Sequence, residues 1–261
     1  MATTLLDLSG KRILVTGGAS GLGRASAEVF IELGADVFLA DLDGEALAAA
    51  SDDLGCKGYA SGDVTREANC EAMVSAAVDR LGGLDGVLNS AGVSDQVAKA
   101  LELDVDAWQR GLDINLRGSL LIARAAGRIM VSQGAGSIVQ ISSVNGLGGI
   151  PRRHSYAPAK AAVAMLTRTL ACEWGEYGVR VNAVAPGYIS SPMVSRLAGE
   201  GKLDIRRLEN RTPLARLGEG PEVGRAAAFL LSDAASFVTG AILPVDGGWT
   251  AYGGPGDVQT A

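Results

Sequence analysis

The chain is poor in the side chains that build metal and disulfide sites. It holds one histidine, His154, and three cysteines in 261 residues. No ligand cluster surrounds His154, so no metal site is expected. Cys56, Cys70 and Cys172 show no CxxC spacing and leave an odd count, the pattern of a reduced, cytoplasmic chain. Positive charge is also scarce. Lys and Arg number 23 against 29 Asp and Glu, a formal net charge of -6. No basic stripe interrupts that balance, so a nucleic-acid surface is not expected. No apolar run reaches the length of about 18 residues that a membrane helix needs. The opening MATTLLDLSGKRILVTGG lacks the basic start, apolar core and small-residue cleavage site of a targeting signal. No linker, composition break or repeat divides the chain, and residues 1–261 read as a single domain.

Glycine is plentiful, with 36 residues that fall mainly between apolar runs. RILVT (12–16), DVFLA (36–40), GVLNS (86–90), SIVQIS (137–142), VRVNAV (179–184) and AILPV (241–245) read as buried strands, with KGYA (57–60) a weaker seventh. Helical stretches lie between them at 21–33, 44–54, 66–81, 104–132, 156–176 and 221–232. The stretch 104–132 is long enough for two helices or one with a bend. This alternation predicts an α/β fold: a doubly wound, Rossmann-type sheet of seven parallel strands with helices on both faces. The segment 190–215 breaks the alternation. It suits either a surface helix pair or, the favoured reading, a lid over a substrate site. The Gly-rich tail, 249–261, is expected to be loose or to dock on a neighbouring subunit.

RILVTGGASGLGRASAEVF reads as strand, glycine turn and helix. Gly17, Gly21 and Gly23 permit a tight turn and the approach of a pyrophosphate to N–H groups at a helix N-terminus. Asp41 follows the second strand, where a carboxylate accepts hydrogen bonds from ribose hydroxyls and repels a 2′-phosphate. That favours NAD over NADP. Either Asp41 or Asp43 would alternatively cap the helix from 44. Asp63 suits hydrogen bonding to an adenine edge, or equally a turn or cap.

Tyr156 and Lys160 are four residues apart in YAPAK, on one face if the segment is helical. A fixed cation beside a phenol favours the phenolate and makes a usable general acid/base. Pro158 lies between them. Proline is tolerated only in a first turn, so the helix should begin near residue 155.

Taken in order, TGGASGLG (16–23), Asp41, DV (63–64), NSAG (89–92), Asn115 in DINLRG, Ser143, YAPAK, NAVAPGYISSPM (182–193) and VTGAILPVDGG (238–248) resemble the short-chain dehydrogenase/reductase family over nearly the whole chain. The resemblance implies a nicotinamide-dependent oxidoreductase of alcohols and ketones, commonly a homotetramer. It implies that Tyr156 transfers the proton, that Lys160 binds the nicotinamide ribose, and that Ser143 fixes the substrate oxygen, with Ser142 structural. Asn115 resembles a residue that bends its helix and holds a relay water. The cofactor contacts it implies are Gly17, Ser20, Gly21, Leu22, Gly23, Asp41, Asp63, Val64, Asn89, Ala91, Gly92, Tyr156, Lys160, Pro186, Gly187, Ile189 and Ser191. Ser90 replaces an asparagine and Ser191 a threonine of the family pattern.

Candidate substrate-lining residues are Ser94, Asn145, Leu147, Ile150, Tyr188 and Met193, a mixed set that suits secondary alcohols, polyols or cyclic ketones. Arg152 and Arg153 would attract an anionic substrate such as a sugar acid, or be solvated or at a subunit contact. Two rival functions stand beside this one. The first is reduction of a 3-oxoacyl group on a carrier protein, against which Asp41 counts. The second is an NAD-binding scaffold without turnover, against which the intact Asn115, Ser143, Tyr156 and Lys160 set counts.

Overall fold

Apolar runs with turn residues at both ends bury best as the inner strands of a two-faced sheet. The computed structural model describes residues 6–94, 97–201, 203–254 and 256–258, apart from the side chains of Pro192, Met193, Arg196 and Leu197. The seven runs form β1 (Arg12–Thr16), β2 (Asp36–Asp41), β3 (Gly58–Ser61), β4 (Gly86–Asn89), β5 (Gly136–Ile141), β6 (Val179–Pro186) and β7 (Ile242–Val245). They pair in one parallel sheet, ordered β3-β2-β1-β4-β5-β6-β7. One core, including Val15, Phe30, Leu39 and Val223, seals α1 (Gly21–Glu32), α2 (Gly44–Leu54) and α9 (Gly220–Leu231) to one face. A second, including Leu14, Met73, Ile122 and Leu170, seals α3 (Glu67–Leu81), α5 (Gly118–Gln133) and α6 (Tyr156–Trp174) to the other.

The chain steps outward from β1 through β2 to β3, then crosses back to β4 on the other side of β1. A crevice therefore opens beyond the carboxyl ends of β1 and β4, where doubly wound sheets bind ligands. Thr16 and Asn89 are register partners at that edge.

The stretch 104–132 holds two α-helices joined through a π turn in one unbroken helical run, as expected of two helices or one with a bend. It forms α4 (Val105–Leu112), a π-helical turn at Asp113–Arg117, and α5. Segment 190–215 forms two short helices, α7 (Pro192–Gly199) and α8 (Ile205–Arg211). The tail packs on its own chain. Within its described part, Val258 N–H donates to Asn210 O at 2.9 Å, which ties it to the end of α8 in its own chain. No helix among the described residues is long and apolar enough to cross a membrane.

Candidate active site

The glycine turn joins β1 to α1 at the crevice. A Cβ at Gly23 would sit 2.1 Å from Gly17 O, so only glycine lets the helix start this close to the strand. Ser20 precedes α1 without a side-chain capping bond, and no acidic residue lies in the first turn. The positive end of the helix is thus left facing the cavity. That cavity, of about 380 Å³, is lined by Gly17, Ser20, Gly21, Leu22 and Gly23 at the turn and by Asp41, Asp63 and Val64 at one end. Ala91, Gly92, Tyr156, Lys160 and Ser191 line it further along. An anion-accepting turn, a carboxylate one strand away and a hollow that runs from both to Tyr156 and Lys160 fit a nicotinamide dinucleotide.

Asp43 caps α2 by accepting from Glu45 and Ala46 N–H. Asp41 is thereby released from capping. Its Oδ2 accepts from Ala19 N at 3.1 Å and its Oδ1 from Leu42 N at 2.7 Å, which fixes the carboxylate against the glycine turn. Asp63 is turned toward its own loop, accepting from Thr65 N at 2.9 Å and Thr65 Oγ1 at 2.8 Å. These bonds hold its carboxyl below the usual range. Asn89 does not reach the cavity. It is buried below the floor, where it accepts from Thr16 Oγ1 at 2.9 Å and donates to Ser119 O at 3.0 Å. Its contribution is to join β1, β4 and α5.

The π turn has a local cause. Asn115 is fully buried, and its Nδ2 donates to Val93 O and Gly111 O, both at 3.0 Å. Its Oδ1 accepts from Val93 N at 3.1 Å. The helix widens there to aim one side chain at the segment after β4. A Cβ at Gly92 would meet Asn115 Oδ1 at 2.7 Å, so the contact requires glycine. Both amide protons of Asn115 are spent on backbone carbonyls.

Helix α6 begins at Tyr156, with Ser155 at its cap. Pro158 therefore lies in the first turn and breaks nothing. The carbonyl four residues before it, His154 O, instead accepts from Trp108 Nε1 at 2.9 Å, which ties α4 to the start of α6. Lys160, one turn on, is buried, and its Nζ donates to Ile141 O at 2.8 Å. Nζ stands 5.6 Å from the centre of the Tyr156 ring. Burial pushes the Lys160 ammonium down to about 8. Ser142 Oγ donates to Lys160 O at 2.8 Å, bracing the helix from below. Ser143 Oγ accepts from Asn145 N at 3.1 Å, so its own proton remains available to donate.

A second cavity, of about 310 Å³, adjoins the first and shares Leu22, Ile141, Tyr156 and Ser191 with it. Ser143, Asn145, Ile150 and Tyr188 line it, as do Pro186, Gly187 and Ile189. The last three were expected at the cofactor; they line this second cavity and not the first. Leu147 is exposed and lines neither cavity, because the turn that buries Asn145 carries Leu147 outward. Ser94 does not line the cavity but accepts from Arg153 Nη1 at 3.3 Å. The Met193 side chain lies outside the described residues.

Further residues line the two cavities, some foreseen only in outline and two, Val93 and Ile114, not foreseen at all. Arg153 is half-buried, lines the second cavity and sets its guanidinium 5.3 Å from the Tyr156 ring centre. Val194 and Leu203 line it from the segment 190–215. Val93, the backbone partner of Asn115, and Ile114 line the first. The sequence pointed to Arg153 through its charge just before Tyr156, a placement that equally suits a solvated loop, and to Val194 and Leu203 only through the segment that holds them.

A family model described as "Enoyl-(Acyl carrier protein) reductase" matches residues 17–250. The chain is 41% identical over 249 residues to 2,5-dichloro-2,5-cyclohexadiene-1,4-diol dehydrogenase of Sphingobium indicum, covering 94% of this chain and 99% of the relative. It is 43% identical over 242 residues to cis-4-hydroxycyclohexanecarboxylate dehydrogenase of Sinomonas cyclohexanicum, covering 91% and 96%. Among solved structures, a short-chain type dehydrogenase/reductase from Mycobacterium ulcerans superimposes with a TM-score of 0.91 at 35% identity, covering 96% of this chain and 93% of that one.

Proposed function

The chain belongs to the short-chain dehydrogenase/reductase family and is a nicotinamide-dependent oxidoreductase of secondary alcohols and ketones, and from that premise we propose NAD(H) as its cofactor and a cyclic, aryl or polyol-type alcohol as its substrate. One observation carries the reading: Tyr156 lies where the two cavities meet, with Lys160 on one side and Ser143 on the other.

NAD supplies the acceptor for the substrate's hydride. The first turn of α1 binds its pyrophosphate, and Asp41 accepts from the adenosine ribose hydroxyls. At neutral pH Lys160 keeps its proton, since its ammonium titrates at about 8. That charge stabilises the phenolate of Tyr156, whose oxygen takes the hydroxyl proton of the alcohol. Ser143 donates to the same substrate oxygen and orients it; in reduction, Ser143 and Tyr156 together polarise the carbonyl. Asn115 acts as a positioning residue, clamping Gly92 and Val93 beside Lys160. The 190–215 segment serves as a lid, a role supported by Val194 and Leu203 in the cavity wall.

The free thiols and acidic charge support a cytoplasmic enzyme. Exposed Leu101, Val105, Leu120 and Met165 on the α4–α6 side, with exposed Leu214 and Phe237 elsewhere, support two separate subunit contacts and hence a homotetramer. Reduction of acyl groups on a carrier protein is the second reading, favoured by the family model's description. Asp41 weighs against it if that chemistry draws on NADP. The test is a kinetic panel of cyclic, aryl and polyol alcohols with NAD and NADP, and of ketones and carrier-linked acyl groups with the reduced cofactors. The expected result is turnover of secondary alcohols with NAD preferred. Turnover confined to carrier-linked substrates, or cofactor binding without turnover, would overthrow the reading.

A further inference from the structure

Helix α6 carries a gap in its first turn, and a side chain of another helix fills it. In helical backbone the N–H of each residue reaches the carbonyl four residues before it. Ala157 N donates to Arg153 O at 3.1 Å, and Ala159 N to Ser155 O at 3.0 Å. Between them stands Pro158, which has no N–H to give to His154 O. The indole of Trp108 supplies the missing donor, with Nε1 at 2.9 Å from that carbonyl. Trp108 is half-buried on α4 and lines neither cavity. Gly111 lies on the same face of α4, one turn on. A Cβ there would collide with Ser155 Oγ, on the residue that precedes Tyr156. Gly111 O in turn accepts from Asn115 Nδ2 at 3.0 Å. The two residues ahead of Tyr156 are thus seated on α4, His154 through the indole bond and Ser155 through close packing.

We infer that Trp108 is a positioning residue for the proton transfer: by standing in for the N–H that Pro158 lacks, it fixes the first turn of α6, and with it the phenol of Tyr156 relative to Ser143 and Lys160. Without the indole N–H, His154 O loses its donor, and an unmet carbonyl draws its turn outward toward water. Tyr156 is the first residue of the helix and moves with that turn. Lys160 is held separately, its Nζ by Ile141 O and its carbonyl by Ser142 Oγ. The phenol therefore shifts against partners that stay in place. A misplacement of about 1 Å caused far from the chemistry is enough to cost roughly 100-fold in rate. The loss falls on chemistry rather than on binding, because Trp108 reaches neither hollow. The pairing also contains its own control. An alanine in place of Pro158 restores the helical N–H to His154 O and makes the indole bond dispensable.

This inference rests on the assignment of proton transfer to Tyr156, and the experiment separates the two. NADH formation is followed at steady state and in a single turnover for the wild type, Trp108→Phe, Pro158→Ala and the double variant. The probe is whichever of cyclohexanol, phenylethanol and sorbitol the wild type oxidises fastest with NAD. NADH affinity is read by fluorescence, and folding by thermal unfolding, on the same preparations. Trp108→Phe should lower kcat and the single-turnover rate by about 10- to 100-fold, with KM for the alcohol and NADH affinity within about threefold. The double variant should recover to within about threefold of Pro158→Ala alone, since the two changes act on one carbonyl. An unchanged rate in Trp108→Phe, or a loss confined to KM or NADH affinity, overturns the inference and leaves the alcohol dehydrogenase reading standing. So does an equal loss in the double variant, which would assign the effect to the bulk of the indole. If Trp108→Phe does not fold, the double variant decides: folded and as fast as Pro158→Ala it supports the inference, unfolded or slow it overturns it. Turnover of none of the three alcohols by the wild type overturns the proposed function and this inference with it.

Discussion

Burying Lys160 sets an ammonium among backbone and apolar groups, with Ile141 O as its hydrogen-bond acceptor at 2.8 Å. Its folded-state value of about 8 against an ordinary 10.5 reflects that desolvation. The sign follows directly. Below about pH 8 both folded and unfolded chains hold the proton, and the folded chain bears the full cost of the buried charge. Between about 8 and 10.5 the unfolded chain binds more protons, so this residue's contribution to stability rises with pH. Lys160→Met should therefore stabilise the cofactor-free protein at pH 7 by roughly 3 kcal/mol at most. The gain should shrink toward zero by about pH 10.5, as read by urea denaturation across pH. A constant difference across that range would show that Lys160 is not a buried charge. At Asp41, Asp41→Ala should lower kcat/KM for NAD by about 10- to 100-fold and raise the NADP-to-NAD ratio, because a charged hydrogen-bond acceptor is lost. Single residues were unevenly legible. Asp41, Ser143, Tyr156 and Lys160 could be singled out because their types and spacing carry the chemistry. The bond from Trp108 to His154 O and the stacking of Arg153 on Tyr156 could not, since each depends on what the folded chain brings to its side.

At the scale of elements, period and punctuation fixed the strands to within a residue or two, because inner parallel strands are continuous apolar runs. The start of α6 was legible from Pro158 together with the Tyr156 and Lys160 spacing. A break in the helix at Asn115 was legible through the resemblance, but the π form at Asp113–Arg117 was not, for its cause is a tertiary one, the three hydrogen bonds between the Asn115 amide and the backbone of Val93 and Gly111. The contacts of the tail within its own chain were not legible, because its anchors are far away in sequence. The Arg211 guanidinium lies 4.9 Å from the Trp249 ring centre and 4.5 Å from that of Tyr252. It also donates to Tyr252 O at 2.8 Å. Trp249 in turn meets Tyr188 edge-on at 4.8 Å, and Tyr188 lines the second cavity. The tail thus braces α8 and the substrate wall together. Arg211→Ala should weaken this packing by about 1–2 kcal/mol. Hydrogen exchange in α8 and residues 249–254 should quicken, and KM for the alcohol should rise several-fold with NADH affinity unchanged. Exchange unaltered in both segments would contradict the brace.

The whole molecule is one sheet with a cofactor hollow and a substrate hollow that share Tyr156. Alternation of strands and helices made the sheet legible, and the crevice followed from the order of its strands. The lining of the second hollow followed in part, at Asn145, Ile150 and Tyr188, while its volume and the place of Val97, Arg153, Val194 and Leu203 in its wall depend on tertiary packing. Nor does a sequence tell apolar residues that complete a core from those left on a surface. Light scattering should give four times 26.6 kDa for the assembly; a monomer would leave the exposed faces of Leu120, Met165 and Phe237 unexplained. The central claim is that one phenol transfers the proton between these hollows. It is tested most directly by the rate of NADH formation from a secondary alcohol in Tyr156→Phe, with NADH binding measured on the same preparation by fluorescence. The account predicts a rate at least about 1,000-fold below the wild type, reflecting the loss of general-base and orienting roles together, with NADH affinity within about threefold. Turnover within tenfold of the wild type would contradict it.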